Sequence, residues 1–314
     1  MIWPEMENAP PTVSVIIPAR DASETLGLAL EAVRNQTYPN LVDFVVAAAD
    51  SASATVAEEH GASVVQNLDG RTPSGLNRAL ERSSGEIIVR CDAHSILPPT
   101  YVERAVSTLL RTGADNVGGM QIPVGKSFWE RAIAAAMASP LGAGDARYRL
   151  GGDEGPVETA YLGVFRRSTL DRIGGFDEAF ARTQDYELNH RIIESGGVVW
   201  FDPELKVEYL PRGSLRTLAR QYFDYGRAKR QFSRKHPRSL RWRQLGPPGV
   251  VVVLGLSLAI APLWPHSLLA PAVYFGTALL AGARELGRHR EAALGMPLAL
   301  LTMHLAWGLG FLRG

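Results

Sequence analysis

The sequence predicts an α/β protein with a mostly parallel, Rossmann-like sheet, followed by transmembrane helices. Two observations carry the prediction. Over the first hundred or so residues, short apolar runs alternate with segments of helical period, the pattern of strands joined by crossover helices in a doubly wound sheet. Towards the C-terminus three apolar stretches follow one another: Gly246 to Trp264, Ser267 to Ala283 and Ala292 to Leu312. Each is close to the roughly 17–25 residues that cross a bilayer. A buried soluble helix pair is the competing reading, but charges are confined to the connections between the stretches.

The strands and helices can be placed in order. Val13 to Pro18 is a buried strand stopped by proline, and Ala22 to Gln36 carries Leu26, Leu30 and Val33 at helical spacing. Asp43 to Ala49 is a second strand, Ser53 to His60 a helix, and Val64-Val65 a short third strand. Gly75 to Ser83 is helical, and Glu86 to Arg90 is the strand before Asp92. A helix over Tyr101 to Gly113, a strand over Asn116 to Ile122 and a helix over Phe128 to Met137 come next. Gly142-Ala143-Gly144 and Gly151-Gly152 frame a segment expected to be a flexible loop containing Arg147 and Arg149, which could reach phosphate or be solvated. Ala160 to Arg166 is a strand, Ser168 is expected to cap a short helix ending at Gly174-Gly175, and Asp185 opens another helix. Leu215 to Lys235 is amphipathic and basic, which reads as an interfacial helix.

Composition narrows the function. A formal net charge of +1 argues against a nucleic-acid partner, and the lone Cys91 excludes a disulfide framework or a cysteine zinc cluster. Met1 to Pro11 is acidic and proline-rich, unlike a secretory signal. Arg238, Arg241 and Arg243 precede the first apolar stretch, and Arg284, Arg288 and Arg290 follow the second. Two crossings put both clusters on one side, which the positive-inside rule makes cytoplasmic. The expectation is a multi-pass protein of the cell (inner) membrane with its soluble part in the cytoplasm.

Asp92-Ala93-His94 follows a buried strand, and in open α/β sheets ligands gather outside the carboxyl ends of strands. One carboxylate and one imidazole two residues apart suit a divalent cation on a diphosphate; a surface turn with a capping aspartate is the bland alternative. Asp185 at a helix start is either a reactive carboxylate or an N-cap. Glu187 and Arg191, four apart, read as a helix-surface pair, and His190 as a packing or surface residue.

Together these stretches resemble the family 2 glycosyltransferases of GT-A fold, and most closely the membrane-attached subgroup that includes the succinoglycan-biosynthesis glucosyltransferase. The residues carrying the resemblance are Val13 to Pro18, Gly70 to Asn77, Arg90 to His94, Gly163 to Arg167, Gly174 to Glu178, Gln184 to Asn189 and Tyr225 to Arg227. It implies that Asp92 and His94 hold Mg²⁺ or Mn²⁺ on the donor diphosphate and that Asp185 is the catalytic base of an inverting displacement. It places Pro18, Arg20, Asp21, Glu24, Asp50, Arg71 and Asn77 around the donor, and Gln184 and Arg227 on the acceptor side. Two departures stand out: Ala47-Ala48-Ala49-Asp50 where the family commonly has aspartates contacting uracil, and Gln184-Asp185 in place of Glu-Asp.

The expected organisation is a tail over 1–12, a GT-A domain over 13–213, an interfacial helix over 214–243 and an anchor over 246–312. The expected activity is transfer from a nucleotide sugar, a UDP-sugar foremost, to a lipid-linked saccharide or other membrane-presented acceptor in exopolysaccharide or envelope glycan synthesis. The alternatives are a non-catalytic binding protein of the same fold and a polyprenyl-phosphate sugar synthase.

Overall fold

In the computed structural model, which describes residues 9–287 and 290–314, the first strand is β1 (Val13–Ala19), buried throughout except at Pro18. Helix α1 (Ser23–Arg34) buries Leu26, Ala29, Leu30 and Val33, the face its spacing predicts. Strand β2 (Leu41–Ala48), helix α2 (Ser51–Glu59), strand β3 (Ser63–Gln66), helix α3 (Thr72–Arg82) and strand β4 (Ile87–Arg90) continue the alternation. Helix α3 starts three residues before its expected beginning because Pro73 stands in its first turn, where a missing N–H costs nothing. Helix α4 (Tyr101–Thr112) ends on Gly113 at φ +69°, a left-handed cap that a side chain would oppose.

Strand β5 (Asn116–Pro123) leads to helix α5 (Phe128–Met137), opened by a capping box between Ser127 and Glu130. The segment expected as a flexible loop instead holds two short helices, α6 (Pro140–Ala143) and α7 (Arg147–Leu150). Ser139 initiates the first by accepting from the Gly142 N–H. A two-residue strand β6 (Gly155–Pro156) and strand β7 (Tyr161–Arg166) follow. β7 runs directly into α8 (Arg167–Ile173), so the N-cap is Arg166 and Ser168 is already helical, not the cap. Helix α9 (Gln184–Glu194) is N-capped by Thr183. Strand β8 (Val199–Tyr209) was not anticipated: Val199, Phe201, Leu205 and Val207 are buried, but Pro203 in mid-run argues against a strand. The chain closes with α10 (Leu215–Lys235), α11 (Gly246–Ile260), α12 (Leu269–Glu285) and α13 (Arg290–Arg313).

The strands form one sheet in the order β3-β2-β1-β4-β7-β5-β8-β6. β1 pairs in parallel with β2 on one side and β4 on the other, while β7 is antiparallel to both β4 and β5. The chain therefore leaves β1 towards β2 and β3 and returns on the opposite side at β4. At such a reversal of strand order, here the carboxyl ends of β1 and β4, ligands of open α/β sheets usually gather.

Two compact units result. Of the described residues, the first comprises 9–121 and 151–208, the second 122–150, 209–287 and 290–314. In the first, one sheet face packs Val13, Val15, Ile17, Leu26, Leu30, Val102 and Leu109. The other packs Ile16, Leu76, Ile88, Phe165, Phe176, Leu188 and Ile192. Each large apolar side chain so buried contributes about 1.5–3 kcal/mol, enough to hold the strand ends, and the side chains on them, in place.

The second unit is helical. Its core joins Ile133 and Met137 of α5, Leu218 and Tyr222 of α10, and Met296, Leu300 and Met303 of α13. The apolar face of α10, expected at a lipid interface, lies on protein: Gly226 meets the backbone of Trp307, and Gly310 that of Phe223, so a methyl at either would force these helices apart. Among the described residues three helices are long and apolar enough to cross a membrane, over Trp242–Ile260, Pro265–Glu285 and Arg290–Arg313. The first two are only 17% and 11% buried within the chain, against 56% for the third. Contiguous exposed apolar surface on that scale marks a surface that water does not meet, and it suggests membrane anchoring. Residues 1–8 of the expected tail, and Arg288 of the expected basic loop, lie outside the described residues.

Candidate active site

The site begins where β4 ends. The Cys91 N–H donates to the Ile16 carbonyl (3.0 Å), extending the ladder so that Asp92 arrives at the sheet edge beside β1. A turn closed by Ser95 N–H to the Asp92 carbonyl (2.9 Å) then carries His94 out to an exposed position. Cys91 itself is fully buried, and burial, then Asp92, push its thiol well up, so it packs rather than reacts.

Arg90 organises the site. It is 4% exposed, and a charge that deep must be paired. Its Nη2 donates to Asp92 Oδ1 (2.9 Å), and its Nη1 forms an ion pair with Asp185 Oδ1 in the first turn of α9. One guanidinium thus joins the strand-end carboxylate to the helix-start carboxylate, 93 positions later in the chain. Two carboxylates against one guanidinium leave one net negative charge here, before His94 is counted. Burial opposes ionisation of Asp92, but Arg90 and then His94 outweigh it and hold the carboxyl below its ordinary value. The buried Arg90 Nε meets no acceptor among the described residues.

Neither Arg90 nor Tyr161 was singled out from the sequence. Tyr161 bonds to Ser95 and Gln121, and burial, then Asp92, raise its phenol. It is followed by Leu162 at φ +46°, a left-handed conformation costing about 1–3 kcal/mol. The Leu162 carbonyl is held by Tyr101 Oη (2.9 Å). The signal for Arg90 was present: a lone charge ending an otherwise apolar strand. For Tyr161 there was none.

The other candidates divide. Pro18 stands in the β1 ladder opposite Ala47, and Glu24 is exposed in the first turn of α1. Arg20 lies over Gly70 (3.4 Å from the position a Cβ would take) and pairs with Asp21 (3.5 Å), both side chains being largely exposed. Arg71 is exposed at the start of α3, its N–H donated to Asp69 Oδ1 (3.0 Å).

Asp50 is largely committed. It caps α2 by accepting from Ser53 N (2.8 Å) and Ser53 Oγ (2.9 Å), and it accepts from Asp21 N (2.8 Å), with Asp21 at φ +50°. Those bonds, that from Ser53 N–H first, hold its carboxyl low against a smaller penalty from burial.

Asn77 is engaged within the fold. Its Nδ2 donates to the Phe176 carbonyl (2.9 Å) and to Glu178 Oε1 (3.1 Å), while its Oδ1 accepts from Phe176 N (2.8 Å). It clamps α3 to the Gly174-Gly175 turn, leaving its amide little to offer a donor. Glu187 and Arg191 are likewise no surface pair. Glu187 is fully buried, and Arg191 grips it twice (2.6 and 2.7 Å) while donating to the Ile173 and Gly175 carbonyls (2.7 Å each). The pair anchors α9, and with it Asp185. Nor is Asp185 the N-cap, since that position is Thr183. Gln184 precedes Asp185 in the same turn, whereas Arg227 is exposed on α10 in the helical unit.

A carboxylate-lined edge at the topological switch point of a sheet of this order defines a GT-A fold. The chain belongs to glycosyl transferase family 2: the family model matches residues 14–174, and Asp185 falls beyond the matched stretch. It is 29% identical over 310 residues to the succinoglycan biosynthesis protein ExoA of Rhizobium meliloti (strain 1021), covering 95% of this chain and 93% of that one. It is 22% identical over 320 residues to a dolichyl N-acetyl-alpha-D-glucosaminyl phosphate 3-beta-D-2,3-diacetamido-2,3-dideoxy-beta-D-glucuronosyltransferase of Methanococcus voltae, covering 96% of each. Among solved structures it resembles the mannosyltransferase PcManGT from Pyrobaculum calidifontis in complex with GDP-Man and Mn²⁺. That match has a TM-score of 0.65 at 20% identity, over 96% of this chain and 90% of that one.

Proposed function

We propose that this chain is a membrane-anchored, inverting glycosyltransferase that moves a sugar from a nucleotide-sugar donor to a lipid-linked or other membrane-presented acceptor. The observation that carries the reading is the pair of carboxylates, Asp92 and Asp185, gathered by Arg90 at the sheet edge. A binding module has no need of the second.

Asp185 takes the proton of an acceptor hydroxyl as that oxygen bonds to the anomeric carbon. The bond from that carbon to the nucleoside diphosphate breaks on the opposite face, with its electron pair leaving on the diphosphate. A single displacement of this kind inverts configuration. Arg90, paired with Asp185, positions that carboxylate at the sheet edge.

The residues present fit a divalent cation: an ionised carboxylate, an imidazole two residues on, and a residual negative charge. Asp92 and His94 would hold Mg²⁺ or Mn²⁺, which supplies stabilisation for the charge developing on the departing diphosphate. The resemblance favours a UDP-sugar, while the Pyrobaculum calidifontis structure contains GDP-Man. Arg20, Arg71, Pro18 and Glu24 line the route to the nucleotide in this reading, and Asp50 shapes the loop beneath it. The resemblance assigns Gln184 and Arg227 to the acceptor side. The lipid-linked acceptor draws support from the dolichyl phosphate named for the Methanococcus voltae relative. The basic flanks of the apolar helices favour a cytoplasmic catalytic face at the inner membrane.

The test is donor consumption in membranes containing the protein, with UDP-, GDP- and dTDP-sugars, Mg²⁺ or Mn²⁺ and extracted lipid acceptors. Metal-dependent transfer from one donor, lost in Asp185→Asn, is the expected result. If no donor is consumed or bound, the non-catalytic alternative replaces this reading. Transfer to a lipid phosphate that survives Asp185→Asn points to the polyprenyl-phosphate sugar synthase instead, because an ionised acceptor needs no base.

A further inference from the structure

The helical unit contains a half-buried arginine with surroundings of a different kind. Arg149 in α7 donates from Nε to Tyr148 Oη (3.3 Å) and from Nη1 to Tyr222 Oη of α10 (3.4 Å), and its guanidinium lies 5.4 Å from the Tyr148 ring centre. Tyr225, one turn along α10, stands edge-on to Tyr222 with ring centres 5.6 Å apart. Its Oη accepts from Gln221 Nε2 (2.8 Å), which also donates to Tyr209 Oη (3.2 Å).

The cluster is one of donors. In each of these bonds the phenol oxygen of Tyr148, Tyr222 or Tyr225 accepts, so its own O–H remains to be given elsewhere. The Arg149 Nη2 adds two further N–H groups. Among the described residues no carboxylate pairs with Arg149, and the nearby Asp145 pairs with Arg243 instead. A guanidinium fork ringed by phenolic donors is complementary to an anion with several acceptor oxygens, which is what a phosphate presents. The same unit carries the three membrane-length helices, so a phosphate reaching it from lipid comes already concentrated at the surface.

We propose that Arg149, with Tyr148, Tyr222 and Tyr225, binds the phosphate or diphosphate head group of a membrane-borne acceptor. The proposal rests on the transferase reading above for its biological sense, but its test needs no sugar transfer.

Full-length protein in detergent micelles is titrated calorimetrically with farnesyl diphosphate, farnesol and inorganic pyrophosphate. Wild type is expected to bind farnesyl diphosphate more tightly than either of the others. Arg149→Gln is expected to weaken that binding about tenfold or more, with Arg149→Lys intermediate and Tyr222→Phe losing about two- to fivefold. Farnesol binding is expected to be the same in all four proteins, which also shows that the variants are folded. The inference is overturned if Arg149→Gln binds farnesyl diphosphate within twofold of wild type. Pyrophosphate binding as tightly as farnesyl diphosphate, with the same dependence on Arg149, overturns the lipid source and leaves a site for a soluble phosphate. A wild-type protein that consumes no nucleotide sugar defeats the transferase reading alone.

Discussion

Arg90 and Arg149 are the same side chain in two different settings, one buried and one half-buried. Arg90, in the α/β unit, is held by two carboxylates of its own chain. Arg149, in the helical unit, is held by phenol oxygens, with no carboxylate of the described residues paired to it. A desolvated charge must be compensated. In the first case the fold supplies the compensation, and the arginine serves to position two acids. In the second the compensation is left to something from outside, and the arginine is available for binding. The difference separates a device for geometry from a device for recognition, and substitution should tell them apart.

The largest effect is expected from Arg90→Met. Removing the cation leaves Asp92 and Asp185 facing each other uncompensated, at a cost of about 3–5 kcal/mol. A lowered denaturation midpoint together with lost transfer is the expected outcome. Arg90→Lys should recover part of the stability but little activity, because one ammonium cannot span both acids as the fork does. A midpoint unmoved in Arg90→Met would erase the contrast between the two arginines.

Asp185→Asn comes next. Loss of a positioned base lowers turnover by about 10²–10⁴-fold, measured as donor consumption, while Mn²⁺ affinity in the presence of nucleoside diphosphate is expected to hold near wild type. A fall in metal affinity equal to the fall in turnover would make Asp185 part of the metal site and not the base.

A pH titration extends the comparison to a second buried cation. Lys229 is 4% exposed and donates to the Ser239 carbonyl (3.2 Å), and burial, with Arg241 adding, pushes its ammonium down to about 7. The unfolded chain therefore binds the proton between about pH 7 and 10.4 where the folded chain does not, so stability should rise with pH across that window. In Lys229→Met the rise should flatten. Asp92 works with the opposite sign at the acid end. Its folded value is depressed, so its contribution is present above the ordinary aspartate range near about 3.9 and is lost as pH falls through the folded value.

The smallest change is expected from Arg149→Gln without ligand. No carboxylate partner is orphaned by it, so the denaturation midpoint should move by an amount worth no more than about 1 kcal/mol. A drop as large as that of Arg90→Met would mean that Arg149 is structural.

Much of the fold was legible because it is written locally. The apolar runs of β1, β2 and β4 and the helical spacing of Leu26, Leu30 and Val33 fall where burial demands them. Strand β8 was lost to Pro203, whose local meaning contradicts the alternation around it. Asp92 and Asp185, two carboxylates far apart in sequence, are brought to one guanidinium by the fold. Arg90 was passed over because nothing next to it in sequence shows that Asp185 comes back to meet it. Nothing in the sequence around Asn77 shows that the backbone of Phe176, 99 residues away, comes to meet it. Glu187 and Arg191 were read as a surface pair because an i, i+4 spacing looks the same on either face of a helix.

The amino-acid sequence by itself determined the alternation of strands and helices and the three apolar stretches. Each of these depends on the hydrophobicity and spacing of near neighbours, which are properties of the chain before it folds. Only the tertiary structure decided which charges compensate one another. A guanidinium's meaning depends on what stands within about 3 Å of it after burial, and the residues that come that close to Arg90 and to Arg149 are placed there by the packing of whole elements.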